Sequence, residues 1–212
     1  METLTTLVQS LGVAYASGIS PYATVALLGL AARLGWVGPL PGELGVVTNS
    51  VVIAVAGLLW IIEFTATLVP WVASAWEAVQ SFVRPPAAAL LAVLTVWHGD
   101  PAVAVVAGLL GGGLGLATHA TKLGVRVAID TSPEPVTNGA ANVAEMGVVA
   151  ALSYFVWQYP YVALAIALLL LVLLMVLVGA AWRLIFRALR ARRPLGRERG
   201  GAARAGATDR GP

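Results

Sequence analysis

Residues 161–182 read YVALAIALLLLVLLMVLVGAAW, a stretch without a single charge. About 20 consecutive apolar residues carry a helix across the hydrocarbon core of a bilayer. This segment is therefore read as a membrane span, and the remainder of the chain agrees. Its 212 residues are 59% hydrophobic and 11% charged, with a mean hydropathy of +0.86, whereas a soluble domain carries about 25% charged residues. The chain has no Cys, which excludes a disulfide framework and a thiolate metal site. The opening METLTTLVQSLGVAYASGIS lacks a basic n-region, since the first basic residue is Arg33. It reads as a retained first helix rather than a secretory signal.

Charge is distributed unevenly around the long span. Residues 1–182 hold four basic and eight acidic residues, and residues 183–212 hold nine Arg and two acids. An Arg-rich segment directly after a span marks the cytoplasmic side, and it is suited to resting on anionic lipid headgroups. Its last part, GRERGGAARAGATDRGP, has nothing to bury and is expected to be disordered over 191–212. No aromatic residue is interleaved with its arginines, so nucleic-acid binding is not expected.

Turn signals divide residues 1–190 into an all-α, polytopic membrane helix bundle of about six spans. Helix 1 covers about 4–34 and is broken at SGISPY (17–22). Helix 2 covers about 48–69. The stretch 71–84 carries Trp71, Val72, Trp76, Val79 and Val83 on one stripe, which suits a helix lying in the interface. Pro85-Pro86 then opens a short helix 3 to about 98, helix 4 covers about 101–128, helix 5 about 137–158 and helix 6 about 161–190. A faint internal repeat links 4–98 with 101–190. Thr48-Asn49 and Pro70-Trp71-Val72 bracket helix 2, and Thr137-Asn138 and Pro160-Tyr161-Val162 bracket helix 5. Read as a 3+3 inverted repeat, this predicts breaks in helices 1 and 4 that meet near the midplane. Chance similarity of short apolar segments produces the same signal. Six spans and the Arg tail predict an inner (plasma) membrane protein with both termini cytoplasmic and the loops at Gly42 and Gly99 outside.

Ionisable residues inside these spans are candidate functional groups, because charge is costly there and usually marks a site. Glu63, well inside helix 2, is a candidate proton carrier. Thr118, Lys122 and Arg126 recur every four residues on one helical face, with His119 adjacent. Asp130 and Glu134 hang from the following turn. Asn138, Asn142 and Glu145 form a second polar stripe on helix 5. Mutual neutralisation of Lys122 and Arg126 by Asp130, Glu134 or Glu145 accounts for this concentration of charge, either as a structural hairpin lock or as a substrate pathway. On helix 1, Ser17, Ser20 and Tyr22 surround the break. The second half-helix there offers its positive end to an anion or to a carboxylate such as Glu63. The run GLLGGGLGLA (108–117) has small residues at GxxxG spacing and reads as close helix packing. It lacks the pattern of a phosphate loop, and no HExxH, GxSxG or Cys nucleophile is present.

The stretches SGISPYATVALLGLAARLG, EFTATLVPWVASAWEAVQSFVRPPAAALLA and THATKLGVRVAIDTSPEPVTN resemble a bacterial family of small integral membrane proteins known as domain of unknown function 4126. The likeness covers nearly all of residues 10–160. Glu63, Pro70, Trp76, Arg84, Thr118, Lys122, Ser132, Pro133, Glu134, Pro135 and Asn138 fit the family pattern. An Asp-Lys pair usual in the family is replaced by Thr67 and Leu68, and acidic and His positions by Ala73 and Gln80. The resemblance therefore implies little chemistry in the 71–84 segment. It confers no activity. The residues themselves favour a small transporter or channel for a small solute or ion, proton-coupled through Glu63. The alternatives are a membrane scaffold or assembly subunit and, more weakly, a lipid-acting membrane enzyme. No cofactor or metal centre is expected, and the partners expected are the bilayer and further copies of the chain in a homo-oligomer.

Overall fold

A computed structural model describes residues 2–130 and 135–191. All regular structure among them is helical: α1 (Glu2–Ile19), α2 (Pro21–Arg33), a 3-10 turn (Leu44–Thr48), α3 (Ser50–Ala66), α4 (Pro70–Thr95), α5 (Pro101–Asp130), α6 (Pro135–Gln158) and α7 (Pro160–Ala191). Five of these helices begin on proline, which has no N–H to lose at a helix start and fixes the entering φ. Two compact units are present, residues 1–175 and residues 176–212. Within the second, the helical stretch to Ala191 carries exposed Arg183 and Arg187. The tail 192–212 and the side chains of Asp130 and Glu134 lie outside the described residues.

Four helical stretches are long and apolar enough to cross a membrane: Trp71–Thr95, Pro101–Arg126, Asn138–Gln158 and Pro160–Ala180. A shorter apolar helix, Ser50–Ala66, joins them. Their large apolar side chains face outward, as with Leu109, Phe82 and Leu169. That is the arrangement for a lipid solvent rather than water.

The first long segment does not cross as a single helix. Glu2, Thr3, Gly42, His98 and Gly99 line one pocket, so the start of α1 and the loop after α2 lie at the same end of the bundle. Gly42 has φ +59° and packs against the end of α4, where the Glu43 amide donates to the Leu94 carbonyl at 2.9 Å. Thus α1 descends from this end, breaks at Ser20, and α2 returns. The pair is a re-entrant V with Val13 and Leu28 in one core cluster. This corrects the expectation that the start of the chain lies on the opposite side from Gly42 and Gly99. The reason lies at the break, where Ser20 takes an extended conformation (φ −154°, ψ 107°), caps α2 by accepting from the Ala23 amide, and reverses the chain direction.

Two further expectations are corrected. Residues 71–84 and 86–98 form one helix rather than an interfacial segment and a separate short helix. The buried positions Ala73, Glu77, Gln80, Arg84, Ala88, Leu91, Ala92 and Thr95 continue at helical spacing straight through Pro85 and Pro86. A continuous buried stripe outweighs the backbone bonds that the two prolines remove. Trp71, Val72 and Val79 lie on its outward side. Helix α5, in turn, is unbroken over 30 residues. It has no internal proline, and its glycines serve close packing. Gly111 and Gly115 meet Ala92 and Ala88 of α4, and an added Cβ on Gly18 of α1 would lie 2.8 Å from the Gly115 carbonyl oxygen. Small residues let the backbones of α1, α4 and α5 approach one another as in membrane helix pairs.

Candidate functional site

The break in the re-entrant pair is set against charged side chains from two other helices. A helix C-terminus carries partial negative charge and an N-terminus partial positive charge. The last carbonyl of α1, on Ile19, accepts from Lys122 Nζ of α5 at 3.1 Å. At the start of α2, the Ser20 hydroxyl donates to the Glu63 carboxylate of α3. Each half-helix end therefore faces a side chain of opposite sign. Backbone freed by a break is tolerated at membrane depth only where protein or water meets it. Here Lys122 and Ser20 supply those contacts.

Arg84, fully buried at 0% exposure, sits at the centre. Its Nη2 donates to Glu63 Oε1 at 2.6 Å and to Glu77 Oε1 at 3.3 Å, and its Nη1 to Glu77 Oε2 at 2.7 Å. Nη1 also lies 2.7 Å from His119 Nδ1. A guanidinium can only donate, so Nδ1 is the acceptor and Nε2 carries the hydrogen. That hydrogen is directed at the Ser81 hydroxyl, 2.9 Å away. His119 is thereby a neutral imidazole that holds Arg84 in place.

Lys122 and Arg126 extend the cluster towards α6. Lys122 Nζ is 2.9 Å from Glu145 Oε2, 3.5 Å from Glu77 Oε1 and 4.0 Å from Glu63 Oε1. Arg126 reaches both Glu145 oxygens at 3.2 Å and donates to Asn142 Oδ1. Asn142 Nδ2 donates to Thr67 Oγ1 at 2.9 Å, tying α6 to the end of α3. Among the described residues, three acidic side chains (Glu63, Glu77, Glu145) and three basic ones (Arg84, Lys122, Arg126) balance in number. Uncompensated charge is costly in this setting, whereas paired and hydrogen-bonded charge is retained. Beside them lies a cavity of about 20 Å³ lined by Ser20, Trp60, Glu63, Lys122, Asn142 and Glu145 among others. That is room for about one water, with several polar groups to bind it.

Most of the residues expected from sequence meet here: Ser20, Glu63, His119, Lys122, Arg126, Asn142 and Glu145. Tyr22 is at the edge, its hydroxyl accepting from Gln80 Nε2 at 3.3 Å. Thr118 is buried and donates to the Leu114 carbonyl of its own helix, so it packs rather than joining the ion network. Ser17 Oγ and Asn138 Oδ1 are buried without a partner among the described residues. Asp130 and Glu134, two of the acids expected to pair with the basic stripe, lie outside the described side chains; Glu145, the third, pairs with both Lys122 and Arg126, and Glu77 and Glu63 join it beside Lys122. The sequence reading set aside the 71–84 segment, yet Glu77, Gln80 and Arg84 come from α4 into the middle of the cluster. Their spacing of three and four residues was the available signal. It was obscured because the apolar stripe on the same segment faces lipid, not protein.

This architecture, apolar crossing helices around a re-entrant broken pair and a buried ionic junction, is that of a polytopic α-helical integral membrane protein. A family model described as domain of unknown function, DUF4126, matches residues 7–180, and the chain belongs to that family. No curated protein and no solved structure matches it.

Proposed function

We propose that the protein is a small transporter or channel whose pathway passes the junction between the α1–α2 break and the cluster of Glu63, Glu77, Arg84, Lys122, Arg126 and Glu145. The observation that carries this reading is the opposed capping of the break by Lys122 and Glu63. Transporters place broken helices and compensating charges at the substrate site, where backbone and side-chain groups can exchange partners with a ligand. Glu63 is the proton-carrying candidate, being hydrogen-bonded at once to Ser20 at the break and to the central guanidinium. The inverted-repeat reading would make α3 and α4 counterparts of α6 and α7, with Pro70 opening α4 as Pro160 opens α7.

Orientation follows from charge. Glu2, Glu43 and Asp100 gather at the end holding the start of α1, with Arg33 the exception, while Lys122 and Arg126 lie towards the other. The positive-inside rule makes the second end cytoplasmic in a plasma membrane. The Arg-rich tail is then a contact for anionic headgroups, and oligomers with further copies remain part of the proposal.

A scaffold or assembly role is the second reading, favoured by the complete pairing of the six charges, which serves a structural lock equally well. Reconstitution separates the two. Proteoliposomes carrying an internal pH dye are challenged with simple ions and small metabolites, and proton or solute movement above that of empty vesicles supports transport. No movement across the whole screen, from protein shown to be folded, supports the scaffold.

A further inference from the structure

The polar cavity beside Ser20 does not stand alone. It shares Ile19, Lys122 and Glu145 with a second, larger crevice of about 350 Å³ between α1, α5, α6 and the first part of α7. The walls of that crevice are mostly apolar, with Val125, Val148 and Leu171, and its edge reaches the outward-facing Ala144 and Leu173. The size and the ratio of apolar to polar lining are those of a small-molecule site. Lys122 and Glu145 form the partition between crevice and cavity.

The partition can open without stranding a charge. When the 2.9 Å contact between Lys122 and Glu145 separates, Glu145 keeps Arg126, with both of its oxygens at 3.2 Å. Lys122 keeps the Ile19 carbonyl at 3.1 Å, Glu77 at 3.5 Å and Glu63 at 4.0 Å. Formal charge then divides into two neutral sets: Arg84, Lys122, Glu63 and Glu77 on one side, and Arg126 with Glu145 on the other. Each set presents one charge to the gap, an ammonium and a carboxylate. A ligand with a single charge would leave net charge in the membrane, which is costly. A ligand carrying both signs satisfies both faces.

We propose that this crevice binds a zwitterion with an apolar body, its anionic group on Lys122, its ammonium on Glu145, and its apolar part between α5, α6 and α7. The inference rests on the transport reading for its purpose and names a substrate class for it, but binding can be measured without flux. The chemistry is shared by a free apolar amino acid and by an aminophospholipid headgroup with its chain.

The test uses the full chain in neutral maltoside micelles, with radiolabelled leucine and radiolabelled lysophosphatidylethanolamine as probes and lysophosphatidylglycerol as the single-charge comparator. Saturable binding of at least one zwitterion is expected, at least tenfold tighter than the comparator. Leucine binding alone assigns a free amino acid, and lysophosphatidylethanolamine binding alone assigns a lipid. Ala144→Phe, at the outward-facing rim of the crevice, should weaken binding at least tenfold. Should that variant not fold, Val125→Phe on the facing wall replaces it. Absence of saturable zwitterion binding, equal binding of the comparator, or wild-type binding by a folded crevice-filling variant overturns the proposal. Zwitterion binding without flux would remove the transport reading and leave the site, whereas flux of another solute without zwitterion binding would remove the site alone.

Discussion

Lys122 donates its ammonium to the carbonyl oxygen of Ile19, 3.1 Å away, across the 103 residues that separate them in sequence. This bond ties the end of α1 to α5 at the point where the first long segment turns back. It gives the basic residues of the 118–126 stripe a structural reason to lie inside the bundle. It also places the only flexible, single-point cation of the cluster at the break, while the two guanidiniums hold the fixed positions around it.

Lys122→Met should therefore lower folded yield, because it leaves Glu63 and Glu77 with Arg84 as their sole cation. Breaking one side of a buried pair typically costs about 3–5 kcal/mol. Lys122→Met combined with Glu77→Gln restores charge balance and should recover most of the yield in fluorescence-detected size-exclusion chromatography. If the double variant is no better than the single, the charge accounting fails.

The re-entrant geometry makes a topological prediction in a chain free of natural Cys. Single Cys residues at Thr3, Gly42 and Gly99 should all label from the same side of the membrane with an impermeant maleimide. Labelling of position 3 from the opposite side to position 42 would show that the first segment crosses completely.

Close packing of α1, α4 and α5 depends on absent side chains. Gly18→Ala would set a Cβ 2.8 Å from both the Gly115 carbonyl oxygen and Thr118 Cβ, and overpacking of this kind typically costs about 1–3 kcal/mol. Gly113→Ala, with nothing within 4 Å of its added Cβ, should leave the melting temperature unchanged. Similar melting temperatures for the two variants would contradict the packing.

Arg84→Lys should behave as a loss rather than a conservative change. One guanidinium reaches Glu63, Glu77 and His119 together through two nitrogens, and an ammonium cannot reproduce that planar fork. Folded yield close to that of wild type would argue that Arg84 is not the centre of the network.

Much of this site could be read from sequence because charges are rare in the spans. Glu63, Lys122 and Arg126 stand out against Leu, Val and Ala, and Pro21 after Ser20 announced the break. The turn-back was not legible, because hydropathy measures how apolar a segment is and not where it ends. Thr3 and Gly42 meet only through the packing of the 41–43 loop on the end of α4. Glu77 and Arg84 were hidden for a related reason. In water the apolar stripe of an amphipathic helix faces the core, but in lipid the polar stripe does. Trp71 and Phe82 are correspondingly outermost, at 89% and 84% exposure. The pairing of Lys122 with Glu145, one of the three acids the sequence offered, required the register of α6, which the spacing of Asn138, Asn142 and Glu145 implies but does not fix.

The central claim, that the capped break is part of a proton-coupled pathway, is tested most directly at Glu63. The measurement is solute-driven proton uptake into proteoliposomes over a range of pH, comparing wild type with Glu63→Gln. The amide keeps the size of the side chain; its single oxygen can still accept from Arg84 while its NH2 donates to the Ser20 hydroxyl, but it has no carboxyl proton to exchange. The account predicts a lower folded yield, because Arg84 and Lys122 lose one of the two carboxylates they share, and coupled uptake abolished in the Glu63→Gln protein that folds. Wild-type uptake with an unaltered pH profile in that folded variant would contradict it.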